Sequence, residues 1–332
     1  MTIKDLAKLS GYSLGTVSRV LNHQPNVSEK ARTTILELAQ TYGFELNTNA
    51  KNLKQQRSNS ILVIVKGRNN ELFAQMVEFI QLYAAKTDYL LLVDYIDEDE
   101  NEVQRAVRLC REKKPVGILF LGGIRANFLA DFSGVDVPAV LVTNSAADLG
   151  FANLSSVCID DAAAGQKAVA HLIQAGHREI AVIGGDLALS EISQQRFIGC
   201  QRAFGAHNMT PAAFCATRFS FQGGYSAMEQ ILRAHAGQVS AVFAMSDVMA
   251  IGAIRCIHDW GLSVPKDISV IGFDGLPLGL YCTPKLTTIA QNAEQIARDS
   301  VRVLLESVQG SAAQALFIPF SLSAQESVKE LT

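Results

Sequence analysis

Residues 2–32 read TIKDLAKLSGYSLGTVSRVLNHQPNVSEKAR, and their spacing predicts two short helices joined by a tight turn. Thr2 stands where a helix cap is needed, and Ile3, Leu6 and Ala7 share one face behind it. Gly11 ends this helix, because glycine takes the left-handed conformation of a C-cap at no steric cost. Ser13 caps a second helix, LGTVSRVL, whose Val17, Val20 and Leu21 face inward. Ser28 caps a third, EKARTTILELAQTYG, with Ala31, Ile35, Leu38 and Ala39 on one stripe and Gly43 as its stop. Three helices of this length, the first two coupled through glycine, describe a helix-turn-helix.

Charge separates this piece from the rest. Residues 1–57 hold eight Lys or Arg against four Asp or Glu, a surplus of four; the chain as a whole carries −3, so the remainder carries −7. A basic end on an acidic body is expected where one end meets phosphate and the rest must not. Residues 46–59, LNTNAKNLKQQRSN, are polar and basic and read as a linker that forms a short helix only with outside support.

From Ser60 apolar runs of strand length recur, among them ILVIV at 61–65, YLLLVDY at 89–95, GILFLG at 117–122, EIAVIGG at 179–185, SAVFAM at 240–245 and ISVIGFD at 268–274. PAVLVT at 138–143 and SVCI at 156–159 complete the set. Helical patterns alternate with them, at 72–86, 100–113, 162–175, 194–206, 223–235 and 247–261. Strands apolar on both sides, alternating with helices, imply parallel sheets covered on both faces. The fold class is therefore α/β: an all-α helix-turn-helix head on a body of two doubly wound lobes, with a closed barrel as the rival architecture.

No phosphate-binding loop, no His-Glu-x-x-His and no Gly-x-Ser-x-Gly occurs. The six cysteines are scattered without a C-x-x-C pair, which favours buried thiols over disulfides or zinc. The histidines show no metal-ligand spacing, and Asp161 of the Asp160–Asp161 pair is placed as a helix N-cap. The expectation is a non-enzyme with neither cofactor nor metal. MTIKDLAKLS is charged from Lys4 onward, which speaks against a secretory leader, and no apolar stretch is long enough to span a membrane. A cytoplasmic, nucleoid-associated protein is expected.

The opening stretch resembles, nearly position for position, the DNA-binding head of the lactose/galactose repressor (LacI/GalR) family, and the similarity continues through YGFELNTNAKNL. VCIDDAAAGQKAVAHLIQAGHREIAVIGG, AVFAMSDVMAIGAIRCIHDWGLSVPKDISVIGFD and PKLTTIAQ stand in order where the family has equivalents, so the resemblance covers essentially the whole chain. It implies a head at 1–45, a hinge at 46–59 and an effector-binding and dimerisation body at 60–332. The body resembles periplasmic sugar-binding proteins, with an N-lobe of about 60–160 and 291–319 and a C-lobe of about 161–290 and 320–332, joined by crossings near 160, 290 and 320.

For the head, the resemblance implies DNA contacts from Thr2, Ser13, Leu14, Gly15, Thr16, Ser18, Arg19, Asn22 and Ser28, with Asn47, Ala50, Lys51 and Leu53 in the hinge. Leu14–Gly15 occupies the operator-reading pair; neither side chain can hydrogen-bond a base, so readout there is apolar or by shape. Arg19 is suited to a bidentate guanine contact, worth about 1–3 kcal/mol of discrimination, or else to phosphate. Leu53 either wedges into the minor groove or packs back on its own body. Leu46 stands where the family usually has Pro, and Lys51 where it has Arg.

For the body, the resemblance implies an effector site at Leu72, Phe73, Thr143, Asn144, Ser190, Ile192, Arg196, Phe219, Ser246, Asp247 and Asp274. Arg196 could hold ligand hydroxyls or form a salt bridge between lobes; Asp274 could do the former or shape a turn. Phe73 and Phe219 could stack on a ring or join the core. The partners implied are near-palindromic double-stranded operator DNA, a sugar or sugar derivative (a nucleoside or base second), and a second copy in a homodimer. Leu72, Met76, Phe79, Ile80 and Tyr83 give the helix at 72–86 more apolar surface than one inner face needs, so they are expected in the dimer face, with core burial as their rival use. A sugar-binding protein without DNA regulation is the rival reading, and residues 1–57 would then have no use.

Overall fold

The computed structural model describes residues 2–21, 24–25, 27–44, 58–68, 70–235 and 237–331. It divides into two units, Met1–Ser58 and Asn59–Thr332. The first is three helices, α1 (Ile3–Ser10), α2 (Leu14–Leu21) and α3 (Glu29–Thr41). Thr2 and Asp5 form a reciprocal capping box on α1, and Gly11, at φ +72°, closes it as a left-handed cap. The three helices meet over Leu6, Val17, Val20, Ala31, Ile35 and Ala39, all buried.

The second unit holds two six-stranded sheets. The first, ordered β11-β5-β4-β3-β1-β2, is formed by β1 (Ser60–Lys66), β2 (Leu90–Ile96), β3 (Gly117–Leu121), β4 (Ala139–Val142), β5 (Leu154–Cys158) and β11 (Ala315–Phe317), every pairing parallel. The other, ordered β12-β10-β9-β8-β6-β7, is formed by β6 (Ile180–Gly184), β7 (Ala213–Ala216), β8 (Ala241–Ala244), β9 (Ser269–Asp274), β10 (Thr287–Gln291) and β12 (Phe320–Ser323). Only β10–β12 is antiparallel. These are open doubly wound sheets, so the barrel is excluded.

Alternate residues of each strand serve opposite faces. In the first sheet Ile61, Val63 and Val65 pack beneath α4 (Glu71–Ala84) and α11 (Ala293–Val308), while Leu62 and Ile64 pack beneath α5 (Glu102–Lys113) and α6 (Arg125–Asp131). In the second sheet α7 (Asp161–Gln174) and α8 (Glu191–Gly205) cover one face, and α9 (Phe221–Ala234) and α10 (Asp247–Asp259) the other. The chain passes between the sheets three times, at β5–α7, β10–α11 and β11–β12. The passages leave β5, β10 and β11, which lie at or next to one edge of their sheets, and β2 and β7 lie at the opposite edges.

Some of the sequence-based expectations are corrected. Met76 and Ile80 are fully buried in their own body, and Leu72 nearly so, so these three serve the core and do not offer a dimer face, whereas Phe79 and Tyr83 are half-buried; Leu82 is the exposed large apolar residue on that helix. The N-cap of α7 is Asp160, whose carboxylate accepts from the Ala163 N–H, which frees Asp161. Strands β7, β10, β11 and β12 escaped the apolar-run reading because they are short, polar or only half-buried.

Two helix glycines set how deeply α7 and α8 interlock. A Cβ on Gly199 would stand 1.9 Å from the Ala162 carbonyl oxygen, and one on Gly165 would stand 2.2 Å from that of Arg196. Gly199→Ala is therefore expected to destabilise the body by about 1–3 kcal/mol. Gly205→Ala on the same helix, where a Cβ meets nothing within 4 Å, is expected to be neutral or mildly stabilising. Denaturant unfolding checks both, and equal losses would refute the close-packing account.

Candidate functional site

Helix α2 presents two unlike faces. Val17 and Val20 are buried in the head core, whereas Ser13, Leu14, Gly15 and Arg19 are exposed, Leu14 at 45 %. Thr16 and Ser18 lie between, half-buried. The Ser13 hydroxyl accepts from the Thr16 N–H at 3.2 Å and shares a hydrogen bond with the Thr16 hydroxyl at 2.9 Å, so it caps the helix. Thr2 and Ser28 likewise act as caps, of α1 and α3. The Arg19 side chain makes no ion pair with a described residue, which leaves its guanidinium free for an outside acceptor. Asn22, Asn47, Ala50, Lys51 and Leu53, and residues 46–57 of the expected hinge, lie outside the described residues.

In the body the carboxyl ends of the two sheets face each other. Arg218, just after β7, reaches Asp99, just after β2, at 2.9 Å, an ion pair between the lobes at the edge away from the three crossings. The expected effector residues gather on both walls. On the N-lobe wall Thr143, at the end of β4, is buried at φ +76°, a conformation that a β-branched residue adopts only under constraint. Its hydroxyl lies 3.3 Å from the Asn144 Oδ1, and the Asn144 Nδ2 donates to the Gly123 carbonyl. Phe73, buried near the start of α4, lies against Gly122, where a Cβ would come within 3.0 Å of the ring; it serves the core, as does Leu72.

The C-lobe wall is built around Arg196. Its Nε donates to Asp161 at 2.8 Å, Nη1 donates to the Met245 carbonyl at 2.5 Å, and the guanidinium lies 3.5 Å over the Phe273 ring. The salt bridge offered as its alternative role exists, but within one lobe. Asp274, the last residue of β9, is 8 % exposed at φ +118°. Gln291 donates to its Oδ1 at 2.9 Å, and no described residue is hydrogen-bonded to the other oxygen. Asp247 is fully buried behind it, accepting from the Thr288 hydroxyl at 2.6 Å and the Leu276 N–H at 2.7 Å, so both of its oxygens are engaged in bracing the wall. Ser190 and Ser246 cap α8 and α10 through their hydroxyls. Ile192 and Phe219 are half-buried, with Phe219 against Gly185.

The supports were not read from the sequence: Phe273, Thr288 and Gln291 were not singled out, and Asp161 was expected as a cap and not as the partner of Arg196. Adjacent aspartates before a helix carried a usable signal, since one can cap and the other is then free to pair. Gln291 and Thr288 carried none. Burial raises the Asp247 carboxyl well above the ordinary range, with repulsion from Asp274 adding to it. Burial raises Asp274 as well, with Arg196 opposing and Asp161 reinforcing. Burial also pushes the Cys158 thiol up to about 12, so it is no nucleophile. Among the described residues, no group of three His, Cys, Asp or Glu is placed to hold a metal ion, and no helix is long and apolar enough to cross a membrane.

Similarities to known proteins accord with these features. Residues 2–47 match the family described as bacterial regulatory proteins, lacI family, and residues 169–328 match the periplasmic binding protein-like domain. The chain is 32 % identical to the HTH-type transcriptional regulator MalR of Clostridium butyricum, covering 92 % of each. It is 33 % identical to the HTH-type transcriptional repressor CytR of Escherichia coli K12, covering 93 % of this chain and 90 % of that one. A crystal structure of the lac repressor dimer bound to operator and the anti-inducer ONPF superposes with a TM-score of 0.86 at 25 % identity, over 99 % of each chain.

The buried carboxylate of Asp274 makes the cleft less stable than it could be. Folding raises its pKa above the unfolded value of about 3.9, so it costs nothing at low pH. The cost grows as the pH climbs from the unfolded value to the raised one, and it is complete above that. Asp274→Asn keeps the oxygen that accepts from Gln291 and removes the charge. Its melting temperature is expected to match the parent near pH 4 and exceed it by a few degrees at pH 8; a gap that does not widen with pH would contradict this.

Proposed function

This chain belongs to the lacI family of bacterial regulatory proteins and is a ligand-responsive, DNA-binding transcriptional regulator; we propose that it represses from a near-palindromic operator and that a sugar-like effector alters its grip. In this reading residues 1–45 bind DNA, 46–59 are the hinge and 60–332 form the effector and dimerisation body, with its N-lobe at about 60–160 and 291–319. The protein works as a homodimer in the cytoplasm, on nucleoid DNA.

The observation that carries the reading is the exposed face of α2, with Leu14, Gly15 and Arg19 outward and Val17 and Val20 locked in the core. A helix of this kind enters the major groove by its N-terminal residues. Leu14 would meet an apolar feature such as a thymine methyl, and Arg19 the paired acceptors of a guanine. Leu53 of the hinge would wedge at the operator centre, unstacking a base step. A homodimer would set two such helices about one turn of duplex apart, which accounts for a near-palindromic site.

In the body, Arg196 and Asp274 would hold ligand hydroxyls, with Thr143, Asn144, Ser190, Ile192, Phe219 and Ser246 around them. Effector binding would favour one arrangement of the lobes over another, and the coupling to DNA is then a difference in free energy that must act in both directions. The nearly spanning likeness to an operator-bound repressor that also carries a small ligand supports placing both activities in one chain.

Arg19→Ala is expected to lower discrimination at one base pair of each half-site by about 1–3 kcal/mol. Body stability should not change. Measuring affinity for the operator and for single-base variants across a salt series checks this, and undiminished base preference would assign Arg19 to phosphate alone. Loss of all salt-dependent duplex binding by the wild-type chain would remove the reading.

A further inference from the structure

The carboxyl ends of the two sheets carry an unequal charge, and the inequality bears on what the cleft can hold. Five of the helices that follow cleft strands begin on an acid: Glu71, Glu102, Asp161, Glu191 and Asp247. Helix N-termini favour acids there, so this alone selects no ligand. The cations decide the matter. Each one at this end of the body already has a carboxylate: Lys66 with Glu102 at 2.9 Å, Arg68 with Glu100 at 3.8 Å, Arg125 with Asp148 at 2.6 Å, Arg196 with Asp161 at 2.8 Å and Arg218 with Asp99 at 2.9 Å.

Against these, Asp247, Asp274, Glu191 and Glu98 have no ion-pair partner among the described residues. Asp274 is more than nine-tenths buried, is held by Gln291 through one oxygen only, and sits on strained backbone at the end of its strand. A hydrogen-bond donor brought to its other oxygen completes it. Above the raised value at which Asp274 ionises, an incoming carboxylate or phosphate would meet that charge, and among the described residues at this end it would find no guanidinium or ammonium without a carboxylate already beside it.

We propose that the effector of this protein is a polyhydroxyl compound bearing no negative charge, and that the cleft rejects phosphorylated and uronic forms of the same sugar. The proposal rests on the effector reading above. Like charges a few ångströms apart in a partly desolvated site repel strongly enough to cost at least about tenfold in affinity. Donors, whether hydroxyl or ammonium, gain from Asp274.

The test is a matched-ligand titration of the full-length protein. Ribose, glucose, galactose and mannose are each compared with the corresponding phosphate; the three hexoses are also compared with their uronates and 2-amino forms, by calorimetry at fixed ionic strength and at pH 8, where Asp274 carries its charge. In any series that binds, the neutral and amino members are expected to bind at least tenfold more tightly than the anionic ones. Asp274→Asn should narrow that gap. A phosphate or uronate that binds as tightly as its neutral parent would overturn the proposal while leaving the sugar reading in place. Silence from every series would remove the sugar reading itself, and the proposal with it.

Discussion

The buried guanidinium of Arg196 organises the C-lobe. It ties α8 to Asp161, the first helical residue after the chain has crossed from one lobe to the other, to the Met245 carbonyl just after β8, and to the Phe273 ring of β9. Four separately formed elements thus share one side chain. A buried ion pair contributes little net stability against an apolar substitute, but it is costly to break from one side, about 3–5 kcal/mol, because the remaining charge has no water. Its effect here is to hold the elements in one arrangement. Gly165 and Gly199 make this possible by letting α7 and α8 approach until backbone meets backbone.

The cleft follows from topology. All parallel strands of a doubly wound sheet end on the same side, and the following helices start there with their N–H groups unsatisfied. Serine and acidic caps satisfy them, which is why Ser190, Ser246 and Asp160 are occupied with their own backbone. The three crossings lie toward one edge; at the opposite edge, by β2 and β7, the exposed side chains of Asp99 and Arg218 pair across the lobes. Surface pairs of that kind are worth little, so the lobes are held firmly on one side and lightly on the other.

Strain and unfavourable charge concentrate at the cleft. Thr143 and Asp274 hold positive φ at the ends of β4 and β9, one on each wall. Asp247 and Asp274 are carboxylates that burial disfavours. Such features persist where the surrounding packing over-determines them, and they are the usual mark of a binding site. The head is the opposite case: its core is small and ordinary, and Leu14, Gly15 and Arg19, proposed to meet DNA, stand on its surface.

The three helices of the head were legible in the sequence because capping and apolar periodicity act within a few residues: Thr2, Gly11, Ser13 and Ser28 sit at the boundaries the structure shows. The alternation of buried strands and helices was legible for the same reason, and with it the α/β class. Contacts between distant segments were not. Nothing near residue 161 announces that Asp161 pairs with residue 196, nothing near 291 that Gln291 steadies Asp274, and the apolar stripe of α4 reads alike whether a sheet or a second subunit covers it. Local patterns record which face of an element avoids water. What meets that face is decided only when the sheets close, because the free energy of the meeting belongs to two segments and is written in neither alone.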